Sequence, residues 1–179
     1  MNFDGQKDFL VVQGHFGSQG MVKYTCFLAS GGTYELNESF SHIANPSLDV
    51  QNQKVLSTWR NWAASHSWAM YSFIKGKFTE TDRLTQEPEV TEEIREDGSE
   101  AELEVWRHEI EHFNLKNTET EVYLTSDYSV DEWIEMFYDE NSFWGLFSDK
   151  WWTLNNKGAL LDWSIYGSGV DVQIMDIIS

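Results

Sequence analysis

One cysteine, two prolines and twelve bases are all that 179 residues hold of those kinds, and each scarcity excludes something. With Cys26 alone, no intrachain disulfide can form, which fits a reducing compartment. Pro46 and Pro88 stand far apart, and no low-complexity tract or internal repeat reads as a linker. Residues 1–179 are therefore expected to form a single domain. No apolar run approaches the roughly 18 residues that a membrane helix needs. The opening Met1-Asn-Phe-Asp-Gly-Gln-Lys-Asp8 lacks the charged-then-apolar pattern of a signal peptide. These features lead us to expect a soluble, cytoplasmic protein of a bacterial or phage-infected cell. There is no G-x-S-x-G and no P-loop, and Gly14, Gly17 and Gly20 follow hairpin spacing rather than a dinucleotide fingerprint. No cofactor is expected.

The scarcity of bases is local. Residues 80–140 carry twenty-one acids against four bases (Arg83, Arg95, Arg107, Lys116), a net of −17 within a chain of net −18. No base interrupts residues 117–149. Apolar content is 41% and aromatic content 15%, with nine Trp, so the acids should cover something packed rather than belong to a disordered acidic chain. Such a field attracts basic proteins and repels nucleic acid and anionic membrane.

The pattern along the chain predicts an α+β fold, an antiparallel sheet packed with one long and one short helix. Phe9–Phe16 and Met21–Ala29 read as a hairpin across Gly17-Ser-Gln-Gly20. From Leu48 to Lys75, Val55, Trp59, Trp62, Ala63 and Ala69 or Met70 recur at steps of three and four. That spacing predicts the long amphipathic helix, broken near Ser65-His66-Ser67, although Trp68–Phe78 also admits a strand. Thr79–Ser99 is polar, holds Pro88 and an Asp97-Gly98 turn, and reads as a mobile loop or an exposed hairpin. Glu100–Leu115 alternates with period two and predicts a strand, as does Glu121–Thr125. Ser129-Val-Asp-Glu132 fits a capping box opening the short helix, which ends near Glu140. Val170–Ile178 reads as a terminal strand.

Two constellations carry functional expectations. On a strand, Glu100, Glu102 and Glu104 form one row at roughly 6.8 Å spacing, and Glu109 with Glu111 is expected to extend it. On the following helix, Asp131, Glu135 and Asp139 form a second row. Like-charge neighbours of this kind repel by about 0.2–0.5 kcal/mol per helical pair. A surface that tolerates this repulsion without interspersed bases is a candidate to stand in for phosphates. Trp144, beside the acidic helix, is expected to anchor a partner, since Trp is favoured at interfaces. The bland alternative is a solvated face that only aids solubility. The expected function is an acidic, non-enzymatic inhibitor, of the DNA-mimic anti-defence or nuclease-immunity type. Its partner would be a basic nuclease or other nucleic-acid-binding protein.

The second constellation is His108-Glu109-Ile110-Glu111-His112, a match to H-E-x-x-H. A zinc hydrolase would use His108, His112 and Glu135 as ligands, Glu109 as base and Asp139 as support. The motif works only on a helix. On a strand the two His lie roughly 13 Å apart, too far for one metal. A third reading is an accessory subunit docking its acidic patch on a basic neighbour.

Overall fold

The computed structural model describes residues 1–17, 21–114, 116–129, 131, 132, 135, 159–167 and 170–177, the last two segments as backbone. It overturns the expectation of an α+β fold with two helices. Among the described residues no helix reaches seven residues, and the chain forms two antiparallel sheets. In chain order the strands are β1 (Phe9–Phe16), β2 (Met21–Ser30), β3 (Thr33–Asn37), β4 (Ser47–Asp49), β5 (Lys54–Trp62), β6 (Ser65–Ile74), β7 (Lys77–Ile94), β8 (Glu100–Phe113), β9 (Thr118–Leu124), β10 (Ala159–Gly167) and β11 (Val170–Ile177). Sheet one has the order β10-β11-β1-β2-β3, and sheet two is the meander β4-β5-β6-β7-β8-β9.

Leu48–Lys75 is extended for a reason visible in its burial. The inward positions include Ser57, Ser65, Ser67 and Ala69, all small and mostly polar, yet buried. They hid the period of two. Meanwhile Trp62, exposed beyond a bulge between Arg60 and Trp62, completed an accidental helical stripe with Val55 and Trp59. The segment's Val, Thr, Trp, Tyr and Phe content favours strands in any case. Lys75 and Gly76 have φ of 50° and 82°, so a two-residue turn of primed type joins β6 to β7.

The other strand expectations hold. β1 pairs with β2 as a hairpin, with a bulge near Gly14; of its loop, residues 18–20 lie outside the described residues. β11 covers the terminal strand and lies between β10 and β1. Thr79–Ser99 is a strand over most of its length, since Thr79–Ile94 belong to the eighteen-residue β7, and it turns at residues 95–99 into β8 as an exposed hairpin, the second of its two expected forms. The capping box is present. Ser129 N donates to Glu132 Oε2 at 2.8 Å, and Glu132 N donates back to Ser129 Oγ at 3.3 Å. Of the stretch expected as the short helix, Asp131, Glu132 and Glu135 are helical, and the other residues from 133 to 140 lie outside the described residues.

The core joins the sheets. Leu10, Cys26 and Leu28 of sheet one meet Leu48, Val55 and Phe78 of sheet two, with Met1, Phe40 and Ile43 between. The Phe40 and Phe78 rings meet edge-on at 5.0 Å. Burying each such side chain contributes about 1.5–3 kcal/mol. Asn45 stitches the sheets: its Oδ1 accepts from Val22 N of β2, and its Nδ2 donates to Thr58 O of β5, both at 2.8 Å. Asp8, buried, accepts from the Met1 ammonium and, at 2.9 Å, from Ala29 N. No helix among the described residues is long and apolar enough to cross a membrane.

Candidate functional site

Side chains directly opposite each other in an antiparallel pair share a face, and each strand alternates faces. The register of sheet two therefore sorts the acids. Arg83 stands opposite Glu111, Thr85 opposite Glu109 and Glu87 opposite Arg107, so these form one face, the arginine face. Leu84 opposite Ile110, Gln86 opposite His108 and Asp82 opposite His112 form the other, the histidine face. At its β4–β7 end the arginine face supplies Leu48, Val55 and Phe78 to the core. The histidine face buries Leu56, Met70, Leu84, His108 and Ile110.

The register splits the expected row. No bulge interrupts the β7–β8 pairing, so Glu100, Glu102 and Glu104 lie on the histidine side, while Glu109 and Glu111 lie on the arginine side. The step from 104 to 109 is odd, which reverses the face. Glu109 and Glu111 are also engaged. Glu109 pairs with Arg107, which further meets Glu89 at 3.3 Å and Glu87 at 3.8 Å. Glu111 lies 3.4 Å from Arg83, whose other partner, Glu80, is at 2.7 Å. The Arg83 guanidinium also lies 5.3 Å from the Phe113 ring centroid and 5.9 Å from that of Trp59, within cation–π reach. Tyr71 donates to Glu80 at 3.2 Å, and burial followed by that carboxylate raises its hydroxyl pKa well above the ordinary range. These acids are paired within the sheet.

Glu100, Glu102 and Glu104 sit elsewhere. β6 stops pairing with β7 at Gln86, and β9 stops pairing with β8 at Arg107. Beyond that point seven residue pairs, Pro88–Trp106 to Ile94–Glu100, continue as a two-stranded ribbon. No further strand among the described residues flanks it. At about 3.4 Å per residue the ribbon is roughly 20 Å long. Its tip closes through Arg95 N to Ser99 O at 2.9 Å and Gly98 N to Arg95 O at 2.8 Å. Asp97 accepts from both Ser99 Oγ and Ser99 N, which holds its carboxyl below the usual range.

Pro88 fits this ribbon without loss. Trp106 N turns away from β7 and donates to Thr125 Oγ1 at 3.0 Å, so the Pro88–Trp106 pair exchanges no ladder hydrogen bond. The donor that proline lacks would have pointed to the open edge.

The histidine side of the ribbon carries Val90, Glu92 and Ile94 on β7, with Glu100, Glu102, Glu104 and Trp106 on β8. Glu92 and Glu102 are directly opposite. No base among the described residues lies within ion-pair distance of these four carboxylates. Ile94 is 76% exposed, Val90 62% and Trp106 40%. The surface is thus carboxylates interleaved with exposed apolar side chains. No family model, curated protein or solved structure matches the chain. The geometry stands by itself.

Of the remaining expected residues, Asp131 and Glu135 are exposed and helical, and no hydrogen bond or ion pair among the described residues links them to the ribbon. Asp139 and Trp144 lie outside the described residues. Glu92, Val90, Ile94 and Trp106 were missed by sequence reasoning. Neither face of β7 buries a residue there, so it shows no alternation to read.

The H-E-x-x-H residues lie on β8. His108 and His112 share the histidine face four residues apart, about 13 Å on a strand, and Glu109 points the other way. His112 Nδ1 meets Asp82 Oδ1 at 2.7 Å. His108 is buried, and burial pushes its pKa down to about 4. No group of three or more His, Cys, Asp or Glu among the described residues is arranged to hold a metal ion.

Proposed function

We propose that this chain is a non-catalytic inhibitor that docks its acidic β-ribbon on the basic surface of a nucleic-acid-handling protein and occludes it. The supporting observation is the Glu92–Glu102 pair, two carboxylates face to face with no base among the described residues beside them, on a surface that also exposes Val90, Ile94 and Trp106. Like charges opposite each other destabilise a free sheet. A cationic partner would remove that repulsion on binding. Val90, Ile94 and Trp106, exposed together on the carboxylate face, offer a partner apolar contact that the acids alone lack. The carboxylates would steer the encounter, and the apolar side chains would lengthen residence. A DNA-mimic anti-defence protein and a nuclease-immunity protein would both work in this way.

The test is a photo-crosslinker at position 94, used to capture the partner from the producing cells, followed by binding of nucleic acid to that partner. The intact chain should block nucleic-acid binding, and Glu102→Lys with Glu104→Lys should restore it. A captured partner that binds nucleic acid equally well with and without the chain, or equal blocking by the doubly reversed variant at low salt, would sink the proposal.

A further inference from the structure

The ribbon's dimensions narrow the kind of site it can enter. Residues 88–106 hold eight acids and one base, Arg95, a net of −7. Arg107 pairs with Glu89, which leaves about −6 over both faces and the tip, and spread over roughly 20 Å this is about one negative charge per 3 Å. Each strand of a duplex carries one per 3.4 Å of axis, and the duplex as a whole one per 1.7 Å. The charge density is that of one strand. Width agrees. A two-stranded β-ribbon is slender enough to lie within one groove of a duplex, so it cannot fill a cleft shaped around a whole duplex. The spacing of Glu100, Glu102 and Glu104, roughly 6.8 Å, is two rises of a strand.

The apolar side chains point the same way. Sites for unpaired strands combine a basic groove with aromatic platforms on which bases stack. Val90, Ile94 and Trp106 alternate with the carboxylates on the same face of the ribbon. They would meet those platforms where the bases do. A duplex-phosphate cleft offers no apolar counterpart to them, because phosphate contacts are made by charged and polar groups.

We infer that the ribbon occupies a single-strand-binding channel of its partner, a groove built for an unpaired DNA or RNA strand. The inference rests on the docking reading above.

The experiment immobilises the full chain and presents two nuclease-treated extracts of the producing cells. One is eluted from single-stranded-DNA cellulose. The other is eluted from duplex-DNA cellulose after removal of single-strand binders. Bound protein is challenged with an oligothymidylate of about 20 nucleotides or a duplex of similar total charge. Retention from the first extract, with release by the oligothymidylate at a concentration at least tenfold below the duplex, is expected. In the same assay Glu92→Gln with Glu102→Gln, or Ile94→Ser, should weaken retention by roughly tenfold. Retention only from the second extract, or release by duplex alone or by neither probe, overturns the single-strand assignment and leaves docking through the ribbon standing. Retention unchanged in both variants, or no retention from either extract, overturns the docking reading itself.

Discussion

Glu92 and Glu102 face each other across the β7–β8 ribbon, with no base among the described residues in ion-pair reach. Opposed like charges cost about 0.2–1 kcal/mol in an antiparallel pair. Glu102→Gln should therefore stabilise the chain, raising Tm by up to about 3 °C at low salt. The gain should shrink as salt screens the pair, because the Debye length falls from about 30 Å at 0.01 M to about 3 Å at 1 M. Scanning calorimetry at both ionic strengths checks this. A stabilising change that weakens partner binding would mark the pair as kept for contact rather than for folding.

Glu109 should behave in the opposite way. It lies on the arginine face and pairs with Arg107, so Glu109→Gln should cost stability, about 1 kcal/mol, and leave partner binding within twofold. Arg107→Ala should cost more than Glu109→Gln alone, because Glu87 and Glu89 lose the same guanidinium. A double-mutant cycle between Arg107 and Glu109 should show coupling that a Glu102–Arg107 cycle lacks. Equal loss of partner affinity in Glu109→Gln and Glu102→Gln would contradict the division into two faces.

The uneven legibility of the sequence follows the same division. Glu100–Phe113 was readable as a strand because Leu103 and Val105 alternate with Glu100, Glu102 and Glu104, whereas Ile110 falls on the opposite face. The row Glu100, Glu102, Glu104 followed directly from that period. Its supposed extension to Glu109 and Glu111 failed on parity alone, a signal already present in the numbering. Leu48–Lys75 was misread because buried serines occupy inward positions where hydrophobic residues were sought. The Arg83 and Arg107 clusters could not be read at all. They join residues up to 28 apart through a register set by the β7–β8 pairing.

Cys26 makes a clean probe of global opening. It is fully buried in the core between the sheets, and burial, the main cause, pushes its thiol up to about 12. The thiolate that reacts is therefore scarce in the native state. Labelling by an aromatic disulfide at pH 8 should be slow and should reach the rate of a free thiol only in denaturant. Rapid stoichiometric labelling of the native chain would show that the core opens far more readily than its packing implies.

His108 gives the pH dependence. Its native pKa is pushed down to about 4 by burial, against about 6.5 in an unfolded chain. Between those values the unfolded chain binds the proton and the native chain does not, so stability rises with pH. The contribution is complete above about pH 6.5 and is lost as pH falls toward 4, a total of about 3 kcal/mol. The urea midpoint should therefore drop from pH 7 to pH 5 with little change in m. The His108 step should dominate from pH 6.5 to 5. His108→Gln should flatten the profile in that window while lowering stability at pH 7. A variant that keeps the full slope would place the titrating group elsewhere.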